Sequence, residues 1–169
     1  CVDRPVRSRN FNIRCHVIPN RWVTFFVLNT GGKALEWFHS VFCQDMSQDQ
    51  FFDEYIPSVL ADFFGNKNID GLEAELPDYV PFLQGSRYSL EQLRASFSDL
   101  TLETTREKML LALIKGNAAY HGENLKEVGS LVKLGRKAMT SGGAAKIKGF
   151  LQVKKRWTGD FEYQFQDQY

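Results

Sequence analysis

The segment Met139–Gln152 reads MTSGGAAKIKGFLQ and carries more information about the fold than any other stretch of the chain. A strand is predicted to end near Thr140, and a basic helix is predicted over 146–157. The intervening pair, Gly142 and Gly143, would let the backbone pass close to a flat ligand and would leave N–H groups facing an anion. A plain tight turn is the simpler interpretation of such a pair. Whether these glycines belong to a ligand-binding site therefore depends on the segments upstream.

The composition is that of one soluble globular domain. Of the 169 residues, 43% are hydrophobic and 24% are charged, a balance that argues against disorder and suffices for a buried core. The net charge of +1 provides no electrostatic reason to expect a nucleic-acid partner. No apolar run is long enough to predict a membrane span. The three cysteines are odd in number and widely separated, which indicates reduced thiols and a cytoplasmic protein.

Apolar periodicity and turn residues predict strands that alternate with helices after an initial hairpin. The predicted helices lie at about 33–42, 48–64, 104–128 and 146–157. The predicted strands lie at about 10–18, 22–28, 160–166 and from about 131 or 136 to 140, and residues 78–83 are expected to form an edge strand or an extended segment. Ser47 is a predicted N-cap, Gly129 is expected to end the longest helix, and residues 65–76 are expected to form an exposed loop. This order of elements predicts an α/β domain with a mixed sheet.

Two upstream segments carry further glycine turns. The first, Gly31–Trp37 (GGKALEW), is a glycine pair that leads into a helix whose apolar residues recur at helical spacing. On its own this segment is more typical of a helix-capping turn with the tryptophan packed in the core. The second, Val80–Arg87 (VPFLQGSR), precedes the longest helix.

Taken together and in this order, the three segments resemble the C-terminal lobe of the FGGY family of carbohydrate kinases. The resemblance implies an actin-like, ribonuclease-H-like domain with a mixed sheet flanked by helices. It implies one of two lobes, with ATP and sugar held in the cleft between them. Residues 1–169 are then expected to be a nucleotide-binding lobe excised from a longer protein, which the absence of an initial Met supports.

The resemblance also implies which residues contact the nucleotide. The turn at Gly31–Trp37 is similar to the family's Gly-x-x-x-[Gln/Leu/Glu]-Trp turn, whose glycine lies against the ribose and the α-phosphate. The segment Met139–Gln152 is similar to the family's Gly-Gly-[Gly/Ala] turn, which contacts the adenosine half of ATP. Ile147 stands where the family usually has Ser or Asn, so an apolar contact with adenine is expected there in place of a hydrogen bond. The implied cofactor-binding residues are Gly31, Gly32, Glu36, Gly142, Gly143, Ala144 and Ile147.

The chain departs from the family pattern at several positions. Ser86 replaces an acidic residue, Ala95–Ser98 stand in place of expected glycines, and Lys115 precedes Gly116 where Glu is usual. These departures keep a second interpretation open, a non-catalytic binding or regulatory module of the same actin-like fold, that is, a pseudokinase.

Sequence motifs for the phosphoryl-transfer step itself do not occur in this chain. The reaction needs a positioned γ-phosphate, a metal ion that offsets its charge, and a base near the attacking hydroxyl. In the family the phosphate-gripping Asp-x-Gly-Thr turn and the sugar site belong to the N-terminal lobe, and neither that turn nor the motif of the Asp base is found here. We therefore predict no catalytic residue and no metal ligand in this chain.

The expected cofactors, ATP and Mg²⁺, belong to the full-length enzyme, and the fragment alone is expected to be inactive. The expected partner is a sugar, a ketose or polyol, bound through the missing N-terminal lobe. A homodimer is a further expectation, because removal of a lobe would leave an apolar surface.

Overall fold

The N-terminal hairpin forms as predicted, although its strands are shorter. Strand β1 (Asn12–Cys15) pairs antiparallel with β2 (Trp22–Phe25). The turn between them contains Asn20 with a φ of 58°, a left-handed conformation that asparagine tolerates better than most residues. The computed structural model describes residues 1–166, so the predicted domain boundary at residue 169 lies outside the described residues.

The first two predicted helices are confirmed. Helix α1 (Lys33–Phe42) buries Ala34, Leu35 and Phe38. The second predicted helix forms as α2 (Gln48–Gln50), a π-helical turn (Phe51–Tyr55) and α3 (Ile56–Gly65) in direct succession. Ser47 caps its start, as the sequence predicted, in a reciprocal capping box with Gln50, and Asn66 follows its end. The π-helical turn was not predicted.

The expected loop over 65–76 is wrong in part, because residues Ile69–Ala74 form helix α4. Gly71, in the middle of α4, lowers the intrinsic helix propensity of this segment, so the helix could not be predicted from the sequence. Tertiary packing overrides that propensity, since Ile69 and Leu72 pack against the main core. Their spacing of three residues places both side chains on one face of the helix.

The predicted extended segment at 78–83 forms strand β3 (Asp78–Val80), which ends before Pro81. It pairs antiparallel with β4 (Ser96–Ser98), a strand that the sequence did not predict. A three-residue strand is too short to show the alternation on which strand prediction depends. The pair is held on its buried side by the rings of Tyr79 and Phe97, whose centroids lie 4.7 Å apart.

The longest helix, α5 (Arg106–Leu131), begins where the sequence predicted and ends later. Thr105 is its N-cap and accepts a hydrogen bond from the backbone N–H of Lys108. Gly129 does not end the helix, and the prediction was wrong on this point. A Cβ at Gly129 would lie 3.4 Å from the side chain of Leu134, so the glycine accommodates the chain that follows the helix.

The C-terminal part contains more breaks than the sequence predicted. Strand β5 (Lys137–Thr140) is followed by α6 (Gly143–Lys146), α7 (Phe150–Val153) and a second π-helical turn (Lys154–Thr158), and then by β6 (Glu162–Phe165). The single helix predicted over 146–157 is therefore wrong. Gly149, with a φ of 96°, interrupts it, because a left-handed residue cannot continue a right-handed helix. Strands β5 and β6 pair in parallel.

The α/β class is confirmed, but the strands of the described residues form three separate two-stranded sheets and no continuous mixed sheet. Each strand has only three or four residues, so its hydrogen-bonded ladder is short. Helix α5 is the central element of the fold and contacts β3, the second π-helical turn, α1, α3 and α7. The main core lies around it and includes the fully buried Phe38, Leu60, Leu110 and Leu113.

Candidate functional site

The two glycine turns line one cavity. We call it the outer cavity; it has a volume of about 630 Å³ and lies between the start of α1, the first π-helical turn and α6. Its walls are formed by Gly32, Lys33, Leu35, Glu36, Phe52, Asp53, Gly143, Ala144, Lys146 and Ile147. A volume of about 300 to 1,000 Å³ is typical of sites for small molecules and cofactors.

The outer cavity brings together most of the residues that the sequence singled out. Five of them are wall residues: Gly32, Glu36, Gly143, Ala144 and Ile147. The other two, Gly31 and Gly142, each precede a wall glycine along the chain without belonging to the walls. Trp37 packs against the edge of the main core, as the capping-turn interpretation expected.

The glycines differ in what their backbone requires. Gly142 has a φ of 93°, a conformation that other residues rarely adopt, and it directs the chain into α6. Gly32 is already helical, and neither Gly32 nor Gly143 has any atom within 4 Å of the position that a Cβ would occupy. The space beside these two glycines is therefore open to a ligand.

The predicted electrostatic advantage of a helix N-terminus is small at the second turn. Helix α6 has four residues, a single turn, and its backbone N–H group at Ala145 already donates to the carbonyl oxygen of Gly142. A macrodipole needs several aligned peptide units to develop. Recognition in the outer cavity must therefore depend mainly on close approach and on the side chains of its walls.

The walls of the outer cavity combine three kinds of side chain. Leu35, Phe52 and Ile147 are apolar and partly or fully buried, Glu36 and Asp53 are exposed carboxylates, and Lys33 and Lys146 are exposed cations. Such a combination suits a ligand with a flat apolar part, hydroxyl groups and a negative charge. Ile147 also packs against the main core, which gives a packing reason for an apolar residue at this position.

A second, smaller cavity lies behind the first. We call it the inner cavity; it has a volume of about 140 Å³ and shares two wall residues, Leu35 and Ala144, with the outer cavity. Helix α5 supplies one side of it and the segment from 141 to 158 the other. Its walls are formed by Leu35, Ile114, Asn117, Ala118, His121, Ser141, Ala144, Ala145, Phe150, Val153, Lys154 and Thr158.

Burial shifts the pKa values of the two titratable groups of the inner cavity. Burial lowers the pKa of His121 to about 4, and the positive charge of Lys154 acts in the same direction. Burial also lowers the pKa of Lys154. The hydroxyl of Thr158 donates to the carbonyl oxygen of Ala118 at 3.1 Å. The Oδ1 atom of Asn117 is buried and has no hydrogen-bond partner among residues 1–166.

The wall residues that sequence reasoning did not assign to the site include Phe52, Asp53 and Asn117. Phe52 and Asp53 reach the outer cavity from a π-helical turn, for which the sequence contains no recognisable signal. Asn117 did leave a signal: it lies between Ile114 and Ala118, two residues of the apolar stripe that the longest helix buries. A polar residue beside such a stripe either faces solvent or has a partner to satisfy.

Two residues of the middle segments, Lys115 and Arg87, have local structural roles. Lys115 forms an ion pair with Glu73 at 3.5 Å, so it joins α5 to α4. The Nε–H of Arg87 donates to Oδ1 of Asn29 at 3.1 Å, which ties the loop after β3 to the chain before α1. Neither Lys115 nor Arg87 is a wall residue of the outer or the inner cavity.

Comparison with solved structures shows which proteins share this fold. No protein-family model matches the chain, and no curated protein sequence matches it. A xyloylose (xylulose) kinase from Brucella ovis superposes with a TM-score of 0.74 over 98% of this chain at 19% identity. A xylulose kinase from Rhodospirillum rubrum gives 0.67 over 87% at 13% identity, and a Plasmodium falciparum glycerol kinase solved with ADP gives 0.58 over 79% at 21% identity. The chain has the fold found in these sugar kinases.

The chain corresponds to only a part of each of these proteins. It covers 31%, 28% and 24% of the three chains, so it spans about a third of their length or less. Sugar kinases of this kind have an actin-like ATPase fold. The resemblance to carbohydrate kinases is thus confirmed at the level of the fold.

Two further observations apply to the part of the chain that the structure describes. Residues 1–166 contain no group of three or more His, Cys, Asp and Glu side chains arranged to hold a metal ion. None of the helices within that range has both the length and the apolar character needed to cross a bilayer.

Proposed function

We propose that this chain is the C-terminal, nucleotide-binding lobe of an ATP-dependent carbohydrate kinase of the FGGY family. In this proposal the adenosine half of ATP binds against the outer cavity. The observation that carries the proposal is that two glycine turns, far apart in the sequence, line one cavity in a chain with the fold of sugar kinases. A glycerol kinase among those structures was solved with ADP, which supports a nucleotide as the ligand.

The wall residues suggest how the nucleotide is held. Gly32 and Gly143 allow the ribose and the base to approach the backbone, because no Cβ intervenes. The ring of Phe52 offers an apolar surface for the purine, as aromatic side chains do for flat ligands. Glu36 and Asp53 can accept hydrogen bonds from ribose hydroxyls. Mg²⁺ bound to the phosphates would offset their negative charge during transfer.

The sugar and the reacting groups belong to another part of the full-length protein in this proposal. The full-length enzyme would transfer the γ-phosphoryl group of ATP to a hydroxyl of a ketose or polyol in the cytoplasm. The xylulose and glycerol kinases of similar fold suggest those two compounds as the first substrates to test. This chain alone would be inactive, and a homodimer through the surface that faces the other lobe remains part of the proposal.

The packing of Ile147 against the core favours one alternative, a non-catalytic module that has lost a polar contact with the nucleotide. Phosphorylation of xylulose or glycerol by the full-length protein, followed through ADP release, decides between the two. Turnover supports the kinase. ADP binding without turnover on any ketose or polyol supports the pseudokinase.

The nucleotide site itself is tested by Gly143→Leu, with Mg–ADP binding measured by isothermal titration calorimetry. The larger side chain enters the outer cavity, and we expect at least about tenfold weaker binding, which corresponds to about 1.4 kcal/mol. The fold should persist, because Gly143 has no left-handed φ and a Cβ at this residue would meet no atom within 4 Å.

Gly135→Leu is the matched control for that experiment. Gly135 is exposed in the loop between α5 and β5, and its Cβ position is also free of neighbours within 4 Å. It is not a wall residue of the outer cavity, so its replacement should leave ADP binding unchanged. Equal affinities of the unaltered chain and Gly143→Leu would refute the proposed site.

A further inference from the structure

A third cavity uses a different face of α5 from the one that lines the inner cavity. It has a volume of about 270 Å³ and shares no wall residue with the outer or the inner cavity. Its walls come from the loop after β3, from the segment before β1, and from Tyr120, Glu123, Asn124 and Glu127 of α5. The last three follow Tyr120 by three, four and seven residues, so all four side chains lie along one face of the helix.

The walls of the third cavity are joined by contacts within the protein. Nδ2 of Asn10 donates to Oε2 of Glu127 at 2.8 Å, and the hydroxyl of Ser8 donates to Oε1 of the same carboxylate. The rings of Phe82 and Tyr120 meet edge to face with centroids 5.8 Å apart. These contacts tie both the N-terminal segment and the loop after β3 to α5, so the cavity is formed by the fold itself.

Asn124 supplies an acceptor atom that the protein leaves unused. The residue is only 6% exposed, and its Nδ2 donates to the carbonyl oxygen of Tyr120 at 2.8 Å. Its Oδ1 accepts no hydrogen bond from residues 1–166, and it does not belong to the side-chain atoms that are both unpartnered and sealed from solvent. Because Asn124 is a wall residue, this acceptor is open to the third cavity. A donor outside the protein, from water or from a ligand, is needed to satisfy it.

The charges of the third cavity favour a cation. Glu123 and Glu127 are wall carboxylates, and hydrogen bonds from Ser8 and Asn10 hold the pKa of Glu127 below its usual value. Within the described part of the chain, no lysine, arginine or histidine belongs to the walls of this cavity. The two glutamates lie four residues apart on one helix, a like-charge arrangement that destabilises it. A cation bound between them would relieve that repulsion.

The aromatic walls favour an organic cation over a metal ion. Phe82, Tyr88 and Tyr120 all line the third cavity, and the faces of such rings attract ammonium groups. An ammonium group has three donors and no acceptor, which suits walls that offer carboxylates and an open amide oxygen. By contrast, residues 1–166 hold no group of three or more His, Cys, Asp and Glu placed to bind a metal ion. The volume of about 270 Å³ exceeds that of an engineered cavity of about 150 Å³ that accepts benzene, so a short alkyl chain fits beside the rings.

We propose that the third cavity binds a small aliphatic ammonium ion. The ammonium group donates to Oδ1 of Asn124 and to the carboxylates of Glu123 and Glu127. The alkyl chain packs against the rings of Tyr88 and Tyr120. This site lies apart from the nucleotide site proposed above and does not depend on it, because the two have no wall residue in common.

The experiment compares a charged and an uncharged ligand of the same length. The probe is butane-1,4-diamine, which is doubly protonated at neutral pH, and the reference ligand is butane-1,4-diol. We expect the unaltered chain to bind the diamine at least about tenfold more tightly than the diol in isothermal titration calorimetry at low ionic strength. Raising the sodium chloride concentration from about 0.05 M to about 0.5 M should weaken the binding of the diamine, because Glu123 is exposed and its charge is screened.

Two variants test the carboxylates, and a third is their matched control. Glu123→Gln removes an exposed charge with little change of shape and should weaken the binding of the diamine about threefold. Glu127→Gln removes the carboxylate that Ser8 and Asn10 hold in place and should weaken it about tenfold. Glu103→Gln removes an exposed carboxylate before α5, outside the third cavity, and should bind the diamine as the unaltered chain does. Thermal denaturation shows whether each variant is folded.

Three results would overturn the proposal: no binding of the diamine by the unaltered chain, equally tight binding of the diol, or a Glu123→Gln variant that binds the diamine as tightly as Glu103→Gln. The first two need no variant, so they hold even if Glu127→Gln does not fold. ADP binding to the same proteins separates this site from the nucleotide site. Binding of the diamine by Gly143→Leu at the affinity of the unaltered chain supports a separate site. Loss of diamine binding in Gly143→Leu would place the diamine in the outer cavity and overturn the proposal.

Discussion

Acidification should destabilise the fold through His121, the histidine in the wall of the inner cavity. Its pKa of about 4, set mainly by burial and secondarily by the charge of Lys154, lies below the value of about 6.5 expected in the unfolded chain. The unfolded state therefore binds a proton more readily than the folded state between these two values. The stabilisation is complete above the unfolded pKa and is lost as the pH falls toward the folded one.

The size of this effect follows from the two pKa values. Each unit of difference corresponds to about 1.4 kcal/mol, and at about pH 5 the unfolded histidine is protonated whereas the folded one is still neutral. Linkage then predicts a loss of about 2 kcal/mol in the free energy of unfolding between about pH 7.5 and pH 5. Such a loss is a large fraction of the stability of a single domain.

Urea denaturation followed by circular dichroism at the two pH values measures this loss. His121→Phe retains an aromatic ring beside Phe26 and Tyr120 but does not titrate, so its loss on acidification should be about 2 kcal/mol smaller. Carboxylates that also titrate near the lower pH are common to both proteins and cancel in the difference. The control variant is His16→Phe, in which the same substitution removes a different histidine, one that belongs to the hairpin. If the unaltered chain and His121→Phe lose equal stability, His121 is not held neutral by burial.

Two further predictions concern the turns that shape the fold. Gly149→Ala should lower the free energy of unfolding by at least about 1 kcal/mol. The reason is that Gly149 has a φ of 96° and that a Cβ there would lie 3.0 Å from the Cβ of the buried Leu60. Thermal denaturation measures the effect, and a melting temperature equal to that of Gly135→Ala would contradict the prediction. Ser47→Ala removes the hydroxyl that accepts from the N–H of Gln50 at 3.2 Å and should cost about 1 kcal/mol. Ser47→Thr should restore most of that loss, and an Ala variant as stable as the Thr variant would show that the cap is dispensable.

Much of the secondary structure could be predicted because its signals are local. Ser47 and Thr105 act on N–H groups within one turn, so their role as N-caps is visible in a short window of sequence. The apolar stripe of α1 and the alternation in the hairpin are equally local. Predictions failed where packing overrode propensity, as in α4 with its central Gly71, and where one glycine, Gly149, broke a helical pattern.

The candidate site shows the same division between local and distant information. The sequence by itself determined the two glycine turns and the apolar residue at position 147. Only the tertiary structure decided that the turns share one cavity, that a π-helical turn brings Phe52 into its wall, and that Asn117 lines a second cavity behind it. The physical reason is that these contacts join α1, α5 and α6, whose relative placement depends on the burial of whole helix faces around α5 and on no single stretch of sequence.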